Sequence, residues 1–464
     1  MSSDELLEIV RNGPSGPMIG AVFDYRALVD SPRVDRTPTG AHADDFRLWA
    51  GCTEEEARQT RQRRFNEVLA GGLFHAAWRL VRAHINQGHK VVVVASETRF
   101  DAEPLARELG VEHLLCTELQ TEHGVLTGRP TAHRLVGLAK SAALREFASR
   151  EGIDLGRSHA YAHSDEDISL LDMVGFAHPV NPTPTLARHA RQNGWAAVEF
   201  RGRKDDRNPV PAIRTAAMYG SLVAAAGAGL VTGVTSRERR RGVDLATWLF
   251  GHVGTLVGNI RVEVTGAENL WSQRPAVFFA NHQSTLIDVL VTARILERGF
   301  TIVAKAEVRS MPVIGTLFEL ADVAFVDRGN TASAISALQP AVDKLRSGTS
   351  IAMSPEGTRS LTPTIGQFKK GGFHLARDAG VPIVPIVIRN AGEIMWRNAR
   401  IAHSGTVEVM VHQPVPTAGW TPGDIAPWLN RMRQLYIDTL DDWPGVQAGQ
   451  RWSKAIVNAA PADC

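Results

Sequence analysis

Residues 277–288 read VFFANHQSTLID, and this stretch decides how the C-terminal half is read. Val277, Phe278, Phe279 and Ala280 form an apolar, strand-like run, and polar residues begin directly after it. His282 and Asp288 therefore emerge together at a strand's C-terminal edge, where open α/β sheets usually carry their chemistry. An imidazole held by a carboxylate can take a proton from an alcohol, the central requirement of acyl transfer to a hydroxyl. His282 and Asp288 are the candidate catalytic pair.

Three further segments follow in order. They are Ala324-Phe325-Val326-Asp327-Arg328, then Pro355-Glu356-Gly357-Thr358-Arg359-Ser360 with Phe368-Lys369-Lys370-Gly371 after it, then Val381-Pro382-Ile383-Val384-Pro385. Together with the first stretch they resemble the four sequence blocks of the glycerolipid acyltransferases, the 1-acylglycerol-3-phosphate acyltransferase family, over residues 260–415. The resemblance implies that His282 deprotonates a glycerol hydroxyl, which attacks the thioester of an acyl-CoA or acyl carrier protein. Asp288 would fix the imidazole tautomer and favour its protonated form in the transition state. No covalent acyl-enzyme, metal or organic cofactor is implied.

The acceptor class implied is lysophosphatidic acid, giving phosphatidic acid, with another lysophospholipid or glycerol 3-phosphate as alternatives. An inert membrane-associated scaffold is the reading from a different class. Arg328, Glu356, Gly357, Thr358 and Arg359 are the substrate-binding positions. The two arginines suit a phosphate because a guanidinium offers forked donors. Glu356 would orient Arg359 or bond a free acceptor hydroxyl, and Gly357 would let backbone approach the ligand. Lys305, Lys369 and Lys370 are candidates for coenzyme A phosphates or lipid headgroups. Two departures stand out: Asp322 lies where the family usually has Gly, and five residues rather than four separate His282 from Asp288. At about 100° per helical residue, one extra residue turns the acid away from the imidazole unless a turn or bulge absorbs it.

In the N-terminal half, residues 18–24 form an apolar strand that delivers Asp24 at its end. A charge-rich helical stretch over 43–87 follows, then a buried strand over 91–94, a helix over 103–109 stopped by Gly110, and a helix carrying Lys140. Alternation of this kind predicts a doubly wound parallel sheet with a helical cap. The layout resembles the haloacid-dehalogenase phosphatases, in their phosphoserine-phosphatase-like branch, over residues 15–200. That resemblance makes Asp24 the nucleophile, Lys140 the phosphate-binding cation and Asp167 the second acid of the final block; the hydroxyl position is Ser96 by strand position, whereas aligning Glu103-Pro104-Leu105 puts Ala95 there. Arg26 stands where the acid/base aspartate belongs, and His163 replaces a metal-binding acid. Magnesium binds chiefly through carboxylates in an octahedron of oxygens, so these replacements predict a degenerate phosphatase site in which Arg26 neutralises Asp24 in place of the metal.

The hydrophobic fraction of 44% and charged fraction of 22% over 464 residues describe a globular chain of more than one domain. A net charge of +2 argues against nucleic acid as a partner. The three cysteines fit no zinc spacing and suit a reducing compartment. The acidic start, MSSDELLEIV, predicts no secretory signal. Residues 215–236 carry no charge, yet arginines flank both ends, whereas a simple span prefers its positive charge on one side. Together with the apolar stretch 243–260, this predicts two helices lying in a membrane interface, with arginines on anionic headgroups. Trp248 and Trp271 would suit the same interface.

The expectation is an α/β chain with four parts: a phosphatase-like domain over 1–205, an interfacial helical segment over 206–262, an α/β acyltransferase domain over 263–420, and a C-terminal amphipathic helix and tail over 421–464. It is expected in the cytoplasm, peripheral or monotopic at the inner face of the plasma membrane.

Overall fold

The structure is a computed structural model that describes residues 1–30, 46–202, 209–305, 309–310, 315, 319, 323–326 and 338–443. It divides into two compact units, 1–203 and 204–464.

The first unit is built on an all-parallel sheet. Its strands are β1 (Gly20–Asp24), β2 (Lys90–Thr98), β3 (His113–Thr117), β6 (His159–Ala162) and β7 (Phe176–Pro179), ordered β3-β2-β1-β6-β7. Parallel neighbours need crossover helices, supplied by His75–Asn86, Arg99–Leu109 and Leu138–Glu151. Helix Arg99–Leu109 stops where Gly110 takes φ 71°, the left-handed cap its lack of a Cβ allows. The helical stretch expected over 43–87 is broken. Thr53 caps helix Glu54–Glu67 through a reciprocal box with Glu56, and a 3-10 turn at Leu69–Gly72 separates it from His75–Asn86. The Gly71-Gly72 pair, poor in helix propensity, marks that break. An additional hairpin joins β4 (Leu119–Glu122) to β5 (Val125–Pro130). Its two loop residues, His123 and Gly124, have φ 52° and 79°, the left-handed pair that a tight hairpin requires.

Four histidines collect beneath this sheet. The His89 Nε2–H donates to the Pro14 carbonyl (2.9 Å), so its Nδ1 accepts from the His84 Nδ1–H (2.7 Å) and the His84 Nε2 accepts from the Tyr161 hydroxyl (2.8 Å). His159 Nδ1 meets His178 Nε2 at 3.0 Å. A neutral chain satisfies the first three contacts, and an extra proton on His89 Nδ1 would set N–H against the His84 N–H. Burial, reinforced by the neighbouring imidazoles, pushes His178 down to about 3 and His159 to about 4 and holds His84 well below the usual value, and burial alone lowers His89.

Folded pKa values below the unfolded 6.5 mean that the unfolded chain takes up protons the folded chain refuses. The stability contribution is present above pH 6.5 and is lost as pH falls toward 4 and then 3. Each imidazole adds about 1.4 kcal/mol per pH unit to that slope. The buried carboxyls of Asp24 and Asp101 are shifted upward and act in the opposite sense, but the four imidazoles outnumber them. Urea unfolding of the N-terminal unit is expected to shift to lower denaturant between pH 6.5 and 4, and His178→Phe to flatten that dependence. An unchanged pH profile in the variant would contradict this account.

The second unit holds a seven-stranded sheet, ordered β11-β10-β12-β9-β13-β14-β8. The strands are β8 (Ile260–Thr265), β9 (Val277–Ala280), β10 (Phe300–Lys305), β11 (Ala324–Val326), β12 (Ser350–Met353), β13 (Ile383–Ile388) and β14 (Gly405–Val411). Every pair is parallel except β13 with β14. The central strands β9 and β13 are covered on both faces, which is why they read as unbroken apolar runs.

Helices Pro209–Thr235 and Arg239–Gly258 form a hairpin through their glycines. A Cβ at Gly229 would stand 2.5 Å from the Gly242 carbonyl, and one at Gly251 would stand 2.6 Å from the Arg294 amide of helix Thr285–Leu296. Close approach on one face leaves another face open, where Ile213, Val223, Val231, Val234 and Leu256 are each more than 60% exposed. Helix Pro209–Thr235, with 27 residues and an 18-residue stretch of mean hydropathy 1.5, is long and apolar enough to cross a membrane.

Candidate active site

β9 ends at Ala280 and helix Thr285–Leu296 begins five residues later, so His282 lies in the turn between them. Its Nδ1–H donates to Asp288 Oδ2 at 2.7 Å, and the amides of Gln283 and Ser284 donate to the same oxygen at 2.7 Å each. The additional residue is taken up before the helix starts. Ser284 is extended (φ −136°, ψ 142°), and Asp288 reaches back from the first helical turn to cap it. A carboxylate is favoured there by the unpaired amides and by the helix dipole. With Nδ1 committed to Asp288, the neutral imidazole carries its lone pair on Nε2.

The third block holds the histidine from the other side. Glu356 is buried, and its carboxylate accepts the His282 amide (3.0 Å), the Ser360 hydroxyl (2.8 Å) and the Gly366 amide (2.8 Å). The Ser360 amide donates to the His282 carbonyl at 2.7 Å. Both backbone groups of His282 are thus clamped, and burial raises the Glu356 carboxyl above its ordinary value. This corrects the expected role of Glu356 on Arg359. The Arg359 Nη1 goes instead to Thr285 Oγ1 (2.5 Å) and to the Arg397 carbonyl (2.6 Å). Gly357 adopts φ 68°, and the Lys369 side chain lies where its Cβ would point; Thr358 is exposed. Arg328, Asp322 and the Lys305 side chain lie outside the described residues.

Two residues that sequence reasoning did not assign open the sheet beside His282. The Tyr436 hydroxyl, on helix Ile425–Asp441, donates to the Phe279 carbonyl (2.7 Å) and accepts from the Ile386 amide (3.2 Å), taking the place of a direct rung between β9 and β13. The Asn281 carboxamide accepts from the Ile388 amide (2.7 Å) and donates to its carbonyl (2.8 Å). A tyrosine among the apolar positions of an amphipathic helix gave no signal of this contact. Tyr436→Phe is expected to cost about 1–3 kcal/mol, because two buried backbone groups lose their partner. Chemical denaturation checks it, and wild-type stability in the variant would contradict the bridging role.

In the first unit, Asp24 is buried at the end of β1. Lys140 Nζ lies 2.5 Å from Asp24 Oδ2 and 2.7 Å from Asp167 Oδ1. Asp24 Oδ1 takes the Arg26 amide (3.0 Å), and Asp167 Oδ2 takes the Ser164 amide (3.2 Å) and hydroxyl (3.1 Å). Burial and the Asp167 charge, against the pull of Lys140, push Asp24 up to about 7. The expected neutralisation of Asp24 by Arg26 is corrected. Lys140 meets Asp24, while Arg26 Nε pairs with Glu97 Oε1 at 2.9 Å. Ser96 donates to Glu97 Oε2 (3.3 Å), and the His163 Nδ1–H goes to the Val180 carbonyl (3.1 Å). Glu97, buried at the end of β2, was not assigned from the sequence, although a carboxylate closing an apolar run was a usable signal.

All six carboxylate oxygens of Asp24, Glu97 and Asp167 already accept donors from the chain, two of these donors being cationic groups. Magnesium needs oxygens free to enter its octahedron, and the residues present do not fit it. Among the described residues no group of three or more His, Cys, Asp or Glu is placed to hold a metal ion.

Comparison with known proteins divides the chain along the same lines. A family model described as haloacid dehalogenase-like hydrolase matches residues 20–172, and one described as acyltransferase matches residues 261–389. A 1-acyl-sn-glycerol-3-phosphate acyltransferase of Saccharomyces cerevisiae is 34% identical over 205 residues, covering 43% of this chain and 67% of the relative. The human 1-acyl-sn-glycerol-3-phosphate acyltransferase alpha is 39% identical over 187 residues, covering 40% of this chain and 65% of the relative. The chain thus spans about two thirds of the length of these curated relatives. Among solved structures, the 1-acyl-sn-glycerophosphate acyltransferase from Thermotoga maritima is similar at 22% identity and TM-score 0.43, covering 50% of this chain and 97% of that one. A phosphoserine phosphatase, solved as a phospho-aspartyl intermediate analogue, is similar at 18% identity and TM-score 0.31, covering 40% of this chain and 95% of that one. The chain belongs, through its C-terminal half, to the 1-acyl-sn-glycerol-3-phosphate acyltransferase family, and carries a haloacid-dehalogenase-like domain ahead of it.

Proposed function

We propose that this protein transfers a fatty acyl group from acyl-CoA or acyl carrier protein to the free hydroxyl of lysophosphatidic acid, giving phosphatidic acid. The observation that carries this reading is the 2.7 Å contact between His282 Nδ1 and the buried Asp288, which leaves Nε2 as the base. His282 Nε2 takes the hydroxyl proton as the acceptor oxygen attacks the thioester carbonyl. The C–S bond breaks, and the departing sulfur takes the proton back from Nε2. Asp288 stabilises the imidazolium between these steps. The proton transfers as drawn need neither a metal nor an organic cofactor.

Glu356 holds the turn that carries the imidazole, and Arg359 stands at the start of the same helix for the acceptor's phosphate. Arg328, by the family resemblance, serves that phosphate too. The exposed apolar face of the helix hairpin, with Arg237, Arg239, Arg240 and Arg241 in its sequence, supports a location at a membrane surface, in this reading the anionic inner face of the plasma membrane. The N-terminal unit acts as a support without phosphatase activity, its Asp24 being closed off by Lys140.

The test is transfer of labelled acyl groups from acyl-CoA, and separately from acyl carrier protein, to lysophosphatidic acid presented in anionic vesicles. Labelled phosphatidic acid is the expected product. Its absence with both donors overturns the proposal.

A further inference from the structure

We infer that Arg397 and Arg359 together form a site for a phosphate monoester beside His282, with Arg397 a binding residue that lies beyond the four sequence blocks. The inference rests on the acyltransferase reading for which phosphate is bound, and on geometry for the site itself.

Arg397 follows the short helix Ala391–Ile394, outside the segment matched by the acyltransferase family model. The two arginines are tied reciprocally. Arg397 Nη1 donates to the Arg359 carbonyl (2.7 Å), and Arg359 Nη1 donates to the Arg397 carbonyl (2.6 Å). The Trp396 Nε1–H donates to the Leu361 carbonyl (2.8 Å), which pins the Arg397 segment against the third block. Among the described residues neither guanidinium meets a carboxylate, and the buried Arg397 Nε has no hydrogen-bond partner. Two permanent cations held side by side in this way oppose each other, and burial together with the Arg359 charge depresses the Arg397 pKa. An anion relieves that opposition, and a phosphate monoester matches forked guanidinium donors.

The location suits the acceptor. Arg359 is bonded to Thr285, the first residue of a 12-residue helix whose Asp288 holds His282. In lysophosphatidic acid the phosphate and the reactive hydroxyl sit on adjacent carbons, so an anion site within a helical turn of the imidazole presents that hydroxyl to it. Coenzyme A also carries a phosphate monoester, so the donor is the other source of the same chemistry.

The test uses the full chain with Arg397→Gln and Arg397→Lys. Arg397→Gln is expected to raise KM for lysophosphatidic acid about ten- to hundredfold, the loss of a charged hydrogen-bonding partner. Its KM for acyl-CoA and for a neutral monoacylglycerol acceptor is expected to stay at the wild-type value. Arg397→Lys, keeping the charge without the fork, is expected to fall between, and it decides the matter if the glutamine variant melts early. A rise confined to the acyl-CoA KM also supports the site and assigns the phosphate to the donor. Unchanged KM for both substrates in a folded variant overturns the inference. If the wild type transfers no acyl group, the functional reading fails on its own, and calorimetric titration with inorganic phosphate judges the site: binding lost in Arg397→Gln supports it, and equal or absent binding in both proteins overturns it.

Discussion

His282→Ala is expected to lower acyl transfer to lysophosphatidic acid by about 10²–10⁴, the range for removing a positioned general base. The imidazole is the one group at the edge of β9 whose second nitrogen is left free once the first is bonded to Asp288. Its backbone is held independently, by Glu356 on the amide and Ser360 on the carbonyl. Alanine therefore removes the base without removing the clamp, and the loss should fall on kcat while KM for the acceptor changes little. Asp288→Asn is expected to be the milder change, since a carboxamide oxygen can still accept the Gln283 and Ser284 amides but no longer favours the imidazolium. Steady-state rates with labelled acyl-CoA check both. Full activity in the alanine variant would remove His282 from the chemistry.

Lys140→Met is expected to destabilise the N-terminal unit by about 3–5 kcal/mol, the cost of leaving buried charge without its partner. Lys140 Nζ bridges Asp24 Oδ2 and Asp167 Oδ1, at 2.5 and 2.7 Å. The pH dependence follows from the direction of the Asp24 shift. Its folded pKa of about 7 lies above the ordinary 3.8, so its contribution to stability is present below 3.8 and lost as pH rises through 7. Without the lysine the carboxyl is pushed further the same way. The deficit of the variant should therefore grow from pH 5 to pH 8 and shrink on acidification. Adding Asp24→Asn to Lys140→Met should recover part of the loss. Urea unfolding at the two pH values measures it, and a deficit independent of pH would show that the triad is not the cause.

Strands were the most legible part of the fold. β9 has the bounds its apolar run suggested, and Asp24 closes β1 as the alternation from residue 18 onward implied. The helix hairpin was visible as two uncharged or nearly uncharged runs, because helix formation depends on composition within a few turns. The β4–β5 hairpin was missed, although His123-Gly124 is a two-residue loop able to take left-handed backbone. The broken helical stretch before β2 was missed for a related reason: the cap at Thr53 and the glycine pair act over one turn, and a long charged pattern hides them.

The site divides along a similar line. Position at the end of an apolar run named His282, Asp288 and Asp24, and the two family resemblances added Arg359, Lys140 and Asp167. Which group meets which was settled only by the folded chain. The five-residue gap closes because an extended Ser284 absorbs the surplus before the helix begins. Glu356 turns to the His282 amide rather than to Arg359, Lys140 takes the place expected for Arg26, and Tyr436 and Arg397 arrive from segments far along the chain. Periodicity and spacing encode what neighbours within a turn or a strand can do. A hydrogen bond between residues dozens of positions apart depends on the packing of whole sheets and helices, and only tertiary structure brings those donors and acceptors within reach.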